Sequence, residues 1–160
     1  GEDRNMKMWA IMILIAALVC TCAASAQEQT GEDPRMISAK QLFQQYIALG
    51  HAFDPAVADL YADDALIQNT RTYPTGQKRI LIMEAPQYKA LIRQTMFAAK
   101  DRNDTSDYTD VAYALEGEKV RIMATRHSNL KDYDSPMSIL VAKDQNEHWK
   151  ITEEISESQP

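Results

Sequence analysis

YTDVAYALEGEKVRIMATRHS, residues 108–128, is the stretch of sequence that decides the fold. Before Tyr108 the apolar side chains recur with the helical period of about 3.6, and from Tyr108 onward they alternate with a period of 2. Glu116-Gly117-Glu118 is a tight turn between two alternating runs, so the stretch predicts a hairpin. With the later runs it forms an antiparallel meander of four predicted strands. These strands cover residues 108–115, 119–128, 135–143 and 148–156.

Helical patterns precede the meander. Ser38, with Gln41 three residues later, forms a capping-box pattern that predicts the start of a first helix, and Asp54-Pro55 predicts the start of a second. A third helical region over 78–100 is divided at Pro86, because proline removes a helical hydrogen bond. This order of elements predicts an α+β domain with three N-terminal helices packed on one face of an antiparallel sheet.

The N-terminus has the three parts of a secretory signal peptide. Arg4 and Lys7 precede an apolar run from Met8 to Cys20, and Ala24-Ser25-Ala26 supplies a cleavage site. The apolar run is shorter than the roughly 20 residues that a membrane span requires. We therefore expect cleavage after Ala26 and a periplasmic or secreted protein. The predicted segments are a signal peptide over 1–26, a flexible leader over 27–36 and a folded domain over 37–160.

Composition excludes several classes of function. The chain carries a formal charge of −6 and no block of Lys or Arg, which disfavours binding to nucleic acid. Its only cysteines, Cys20 and Cys22, lie in the predicted leader, so the mature chain would have no thiolate nucleophile and no disulfide. Zinc-binding histidine spacings, the serine-hydrolase elbow and glycine-rich phosphate loops are missing from the sequence. We expect no metal, no cofactor and no strong catalytic signature.

Strict alternation places two charged side chains on apolar strand faces. Ile151 and Ile155 would share the inner face of the last strand with Glu153, which leaves Glu154 on the solvent face. Arg126 follows the inner residues of the second strand. Since a buried acid costs several kcal/mol unless it is paired or solvated, we expect Arg126 and Glu153 to project toward the helices and meet there. The pair would be either a structural ion pair or part of a ligand pocket.

Two segments resemble the NTF2-like superfamily, which includes SnoaL-like domains and ketosteroid isomerases. They are Leu60-Tyr61-Ala62-Asp63-Asp64-Ala65, before a short predicted strand, and His148-Trp149-Lys150-Ile151 on the last strand. With the order of elements, the resemblance covers residues 38–156. It implies a cone, in which a strongly curved sheet wraps over the helices and leaves a pocket between them. Members bind small molecules, catalyse isomerisation or dehydration, or dimerise through the sheet, and the fold does not choose among these.

The resemblance to ketosteroid isomerases is partial. Tyr46 falls where those enzymes have a tyrosine that donates a hydrogen bond to an oxyanion. Asn69 stands where they have the aspartate base, and Ile139 appears where they have a protonated aspartate as second donor. Because an amide cannot accept a proton at neutral pH, steroid isomerase activity is not expected. Asn69 can still orient a ligand as donor and acceptor.

The sequence predicts a secreted domain that binds a small organic ligand in the cone. Arg126 suits a carboxylate or phosphate. One alternative is an isomerase or dehydratase with Glu153 as general base. Another is a module that makes a homodimer through the outer sheet face, where Leu140 and Ala142 offer apolar area. No nucleic acid is expected as partner, and no membrane after cleavage. The predicted ligand-binding residues are Tyr46, Tyr61, Asn69, Arg126 and Glu153.

Overall fold

The computed structural model describes residues 31–160. The predicted signal peptide, 1–26, and residues 27–30 of the predicted leader lie outside the described residues. Within 31–160 no helix is both long and apolar enough to cross a membrane. The elements in chain order are α1 (Pro34–His51), a 3-10 helix (Pro55–Leu60), β1 (Tyr61–Thr72), β2 (Lys78–Glu84), α2 (Ala85–Asp101), β3 (Ser106–Glu116), β4 (Lys119–Ser128), β5 (Tyr133–Lys143) and β6 (Trp149–Ser158).

The strands form one six-stranded sheet in the order β2-β1-β6-β5-β4-β3. The predicted meander is confirmed, because β3 to β6 pair in sequence as antiparallel neighbours. The prediction of a wholly antiparallel sheet is wrong at one place, where β1 runs parallel to β6. This pairing arises because the last strand of the meander returns alongside the first strand of the chain in the same direction.

The prediction of three helices at the N-terminus is wrong, because β1 and β2 precede α2. Residues 78–84, read from the sequence as helical, form β2 and pair with β1 from Leu66↔Glu84 to Thr72↔Lys78. β-branched Ile80 and Ile82 favour an extended chain. The preceding turn contains Gly76 at φ +82°, a conformation suited to glycine, which reverses the chain. Pro86 does mark the break, since α2 begins beside it.

The helix starts show which capping signals operate. α1 begins at Pro34, where the Asp33 side chain accepts a hydrogen bond from the Arg35 backbone N–H at 2.8 Å. The prediction that Ser38 opens this helix is therefore wrong, and residues 34–36 of the predicted leader are helical. Asp54 caps the next helix as predicted, by accepting from the Ala56 N–H at 2.8 Å, although that helix is a single 3-10 segment.

The core lies between the concave face of the sheet and the helices. Its buried side chains come from α1, the 3-10 helix, the start of α2 and the four strands β1, β4, β5 and β6. Burial of such apolar area is the main stabilising term of a domain of this size. Ala85 is the only fully buried residue of α2. The largest contributors are Leu42, Phe43, Leu60, Tyr61, Ile67, Val120, Ile122, Ile139, Val141 and Ile151.

A β-bulge in β6 decides which of its side chains face the core. Val141 pairs with Ile151 and Leu140 with Glu153, so Thr152 has no partner on β5 and the alternation reverses there. Ile151 and Glu154 consequently share the concave face, whereas Glu153 and Ile155 lie on the convex face. The sequence prediction that Glu153 faces inward and Glu154 faces solvent is therefore wrong, because it assumed unbroken alternation.

Candidate functional site

Glu154 is the central group of the candidate site. Its Cα is paired with Ile67 on β1 and with Ile139 on β5, so it lies in the middle of the concave face. The residue is only 4% exposed. Its Oε2 accepts a hydrogen bond from the Tyr61 hydroxyl, and its Oε1 accepts one from the Tyr88 hydroxyl at 3.2 Å. A buried carboxyl with two phenol donors can therefore be held in either protonation state.

Burial raises the pKa of Glu154 above its ordinary value, while hydrogen bonds from Tyr61 and Tyr88 and the charge of Arg126 oppose the rise. Burial, reinforced by the neighbouring Glu154, raises the pKa of Tyr61 and of Tyr88 well above 10. The two phenols are therefore donors at physiological pH. A ligand beside Glu154 would meet a proton donor or acceptor whose ionisation responds to its surroundings.

Tyr46 and Tyr108 form an aromatic wall on the α1 and β3 side. Their ring centroids are 6.0 Å apart in an edge-on arrangement, and Phe43 stacks on Tyr46 at 5.9 Å. Burial raises the pKa of Tyr108 to about 12, and burial followed by the charge of Glu154 raises that of Tyr46 well above 10. These rings supply flat apolar surface, and their hydroxyls stay protonated.

Asn69 belongs to a polar network at the outer part of the site. Its Nδ2 donates to Ser156 Oγ at 3.0 Å, and its Oδ1 accepts from the Ser158 hydroxyl at 2.7 Å. These contacts fix the amide orientation across the parallel β1–β6 pair. The second N–H of the amide remains for a ligand.

Arg126 lies on the concave face near the end of β4. Its guanidinium donates to the Tyr133 hydroxyl at 3.1 Å, to the Glu157 carbonyl at 3.2 Å and to Ser135 Oγ at 3.4 Å. It also lies 5.8 Å from the centroid of the Tyr133 ring. These contacts hold the side chain from one side.

A cavity of about 260 Å3 joins these groups. This volume is just below the roughly 300–1,000 Å3 of typical small-molecule sites, which points to a small ligand. Its wall contains groups from both long helices and from strands β1, β3, β4, β5 and β6. The residues that the argument uses are Tyr46, Asn69, Tyr88, Tyr108, Arg126 and Glu154.

Of the residues predicted from sequence, Tyr46, Asn69 and Arg126 line this cavity. Tyr61 is buried behind Glu154 and reaches the site through its hydroxyl. Glu153 is not part of the site, because it lies on the convex face with one carboxylate oxygen 2.5 Å from Arg121 Nη1. The predicted meeting of Arg126 and Glu153 is wrong for the same reason.

Sequence reasoning missed Glu154, Tyr88 and Tyr108. The adjacent Glu153-Glu154 pair was a usable signal, since one of two consecutive strand residues must face inward. Ile139, noted for its missing carboxyl, is the cross-strand neighbour of Glu154 on β5. The carboxyl of the cavity thus comes from the next strand.

A larger groove of about 800 Å3 lies around the β5–β6 turn and is lined by several lysines. Two of these lysines have local partners: Lys89 pairs with Asp63 at 2.8 Å, and Lys150 donates to the Asp59 carbonyl at 2.6 Å. Within residues 31–160 no cluster of His, Cys, Asp or Glu is arranged to hold a metal ion. The concave cavity is therefore the better candidate site.

Neither a family model nor a curated protein matches the chain. Solved structures do match it. An NTF2-like protein of unknown function from Pseudomonas putida KT2440 has a TM-score of 0.58 at 11% identity, over 75% of this chain and 83% of that one. An NTF2-like protein of unknown function from Shewanella oneidensis MR-1 has a TM-score of 0.54 at 16% identity, over 77% and 98%.

A protein from Catenulispora acidiphila, solved in complex with S-DNPA, has a TM-score of 0.51 at 11% identity, over 76% of this chain and 91% of that one. These likenesses show that the chain has the NTF2-like fold. The resemblance drawn from the Tyr-Ala-Asp-Asp-Ala segment and the tryptophan strand is thereby confirmed at the level of the fold.

Proposed function

We propose that this protein binds a small organic ligand in the cavity of its cone. The observation that carries the proposal is a buried carboxyl, Glu154, on the cavity wall. A buried carboxyl costs stability unless it is paired or functional, and Glu154 has phenol partners but no cation within salt-bridge distance among the described residues.

The neighbouring groups support the same proposal. Tyr46 and Tyr108 would contact the flat body of the ligand, and Glu154 would exchange a hydrogen bond with a hydroxyl, amine or carbonyl group. The free N–H of Asn69 would add a directional contact nearer the mouth. The Catenulispora acidiphila protein, which has a similar fold, was solved in complex with S-DNPA.

The test is native mass spectrometry of protein purified from its own host. A retained molecule of defined mass is the expected result for the unaltered protein. Ser156→Leu, which would fill the cavity, should lose that molecule. The matched control Thr125→Leu adds a similar side chain on the convex face of β4 and should retain it. Retention by Ser156→Leu, or no retained molecule in any sample, would contradict the proposal.

Export is part of the proposed function. The basic start, the apolar run and the Ala24-Ser25-Ala26 site support cleavage to a mature chain that begins at Gln27. Such a protein would meet its ligand in the periplasm or outside the cell. Intact mass of the endogenous protein tests this, and a chain that keeps residues 1–26 would contradict it.

Self-association through the convex sheet face is a second candidate function. Leu140 and Ala142, the residues expected to supply apolar area, are only 9% and 8% exposed. Register instead places Ile82, Ile155 and Met123 in one row across the outer face, with Gln68 and Ser138 between them, and Ile82 is 67% exposed. Large exposed apolar side chains repeated across a sheet face favour a second copy of the chain as their cover.

The structure does not support the alternative function of an isomerase or dehydratase with Glu153 as general base. Glu153 is hydrogen-bonded to Arg121 on the face opposite the cavity, and Arg121 is also held by Glu116 at 2.8 Å. The Glu153 carboxylate is therefore held in an ion pair on the convex face and does not reach a ligand in the cavity.

A further inference from the structure

Three arginines lie in one row across the mouth of the cone. Arg79 pairs with Arg71 in the β1–β2 register, and Arg71 pairs with Ser158. On the other side of the mouth, Ser135 pairs with Arg126 and Arg126 with Tyr108. β5 and β6 are antiparallel, and Met137 pairs with Ser156. Ser135, two residues before Met137, therefore lies opposite Ser158, two residues after Ser156, and this joins the two sets of pairs into one row. The row is Arg79, Arg71, Ser158, Ser135, Arg126 and Tyr108.

These arginines differ from the other four of the described residues. Arg35, Arg93, Arg102 and Arg121 each form a salt bridge with a carboxylate. None of the three mouth arginines forms one within residues 31–160, although the chain as a whole carries 23 acidic side chains against 17 basic ones. In an acidic protein, such a row keeps positive charge that no carboxylate of the described residues neutralises.

Arg71 carries a second sign of an absent partner. Its Nε is buried and has no hydrogen-bond partner among the described residues, and a buried donor without a partner is costly. Its cross-strand neighbour is Arg79, and like charges opposite one another destabilise a sheet. Neither feature helps the fold, and an anion bound between the guanidiniums would remove both costs.

We propose that the arginine row binds the anionic group of the ligand, so that the ligand is a small organic anion. This inference rests on the proposed function of the cavity and names its ligand class. The anionic group, a carboxylate or a phosphate or sulfate ester, binds at the mouth to Arg71 and Arg126. Its aromatic or alicyclic body extends inward along Tyr108 and Tyr46.

The position of Glu154 sets this orientation. Ser158 is four residues beyond Glu154 on β6, which is about 13 Å along a strand. An anionic group at the mouth is therefore remote from the buried carboxyl. The reversed ligand would instead place its anion beside Glu154, in a low-dielectric cavity where Glu154 has no salt-bridge partner among the described residues. The neutral end of the ligand consequently faces Glu154.

Titration with defined probes tests the inference. The probes are phenylacetate, phenyl phosphate and the neutral isostere phenylacetamide, each up to about 10 mM. Binding is followed on the full mature chain by NMR, through the arginine Nε–H signals and the methyl signal of Met137 on the cavity wall. Arg71→Gln and Arg126→Gln are the test variants. Arg93→Gln removes an arginine from an exposed ion pair with Asp59 and is the control.

We expect an anionic probe to bind about tenfold more tightly than phenylacetamide, because charge-assisted bonds to guanidinium are strong. It should move the signals of Arg71 and Arg126 but not that of Arg93. Arg71→Gln and Arg126→Gln should each abolish that preference, while Arg93→Gln keeps it. Equal binding of acid and amide at Met137 would overturn the inference and leave the proposed function standing. No perturbation by any probe would overturn both.

Discussion

The Tyr61 hydroxyl donates a hydrogen bond to Oε2 of Glu154, across two strands that each carry a bulge. The backbone partner of Tyr61 on β6 is Ile151, and the next regular pair is Leu66↔Glu153. The irregular segments between these pairs bring a buried phenol and a buried carboxyl together. The ionisation of Glu154 is therefore coupled to the packing of the first and last strands.

Replacement of Glu154 should change how stability depends on pH. The unfolded carboxyl titrates near 4.5, and burial raises its pKa in the folded state. As pH rises above about 4.5, the unfolded chain releases its proton first, so the folded state loses stability until the pH passes its own pKa. Glu154→Gln cannot titrate. The free energy of unfolding of Glu154→Gln, relative to that of the unaltered protein, should therefore increase as pH rises through this window.

Urea denaturation at a series of pH values from 4 to 8 measures this difference. Glu153→Gln is the matched control, since it removes the adjacent carboxyl from the convex face. Its free energy of unfolding should keep the pH dependence that Glu154 gives the unaltered protein, because Glu154 is still present. If Glu154→Gln also kept that pH dependence throughout, Glu154 would not titrate abnormally.

Removal of the Tyr61 hydroxyl should cost stability and change the same pH window. Tyr61→Phe leaves Oε2 of Glu154 without its donor, and a buried acceptor left unpaired costs about 1–3 kcal/mol. The hydrogen bond from Tyr61 lowers the pKa of Glu154. Loss of this hydrogen bond should raise the pKa of Glu154 further, so the decrease in stability should continue to a higher pH than in the unaltered protein. Urea denaturation measures this.

Tyr113→Phe is the control for that experiment. Tyr113 also lies on the concave face, but its ring contacts Lys40 and its hydroxyl makes no hydrogen bond among the described residues. Its removal should change the free energy of unfolding by less than about 1 kcal/mol at every pH. Equal pH profiles for the two phenylalanine variants would show that Tyr61 does not tune Glu154.

Periodicity predicted the last four strands and the α+β class, because apolar and polar residues alternate along a half-buried strand. It failed over residues 78–84, which contain four consecutive apolar side chains, from Ile80 to Met83, and therefore show no alternation. Such a short run is compatible with a helix or a strand. Pairing with β1 decides between them, and that contact is not local.

The sequence predicted that Tyr46, Asn69 and Arg126 belong to the site, but it did not predict Glu154. The register at one residue explains this error. Thr152 has no partner on β5, so every side chain after it changes face. A bulge depends on how two strands close on each other and has no reliable local signature. The sequence could state that one of Glu153 and Glu154 is buried, and the choice between them required the register.

Charge on the convex face should prevent self-association. A stable interface buries about 800 Å2 on each partner, and the row containing Ile82 and Ile155 would form the centre of such a contact. The unaltered protein is expected to sediment as a dimer at micromolar concentration. Ile82→Lys and Ile155→Lys should each sediment as a monomer, because an unpaired ammonium would be desolvated in the interface.

Phe97→Lys controls for the loss of any exposed apolar side chain, since Phe97 is 82% exposed on α2. This variant should remain dimeric. A monomeric unaltered protein would contradict the proposed interface, and loss of the dimer in Phe97→Lys would move the interface to the helical side.

The ligand-free protein should become more stable when the arginine row loses charge. Arg71→Gln removes a guanidinium that faces Arg79 and whose Nε lacks a partner, so urea denaturation should give a gain of about 1 kcal/mol. Arg126→Gln should instead lose about 1–2 kcal/mol, because Arg126 donates to Tyr133 and to the Glu157 carbonyl. Arg93→Gln, which breaks an exposed ion pair, should change stability by less than about 1 kcal/mol. A residue that serves ligand binding is expected to destabilise the ligand-free protein in this way. A loss of stability in Arg71→Gln would instead show that Arg71 has a structural role.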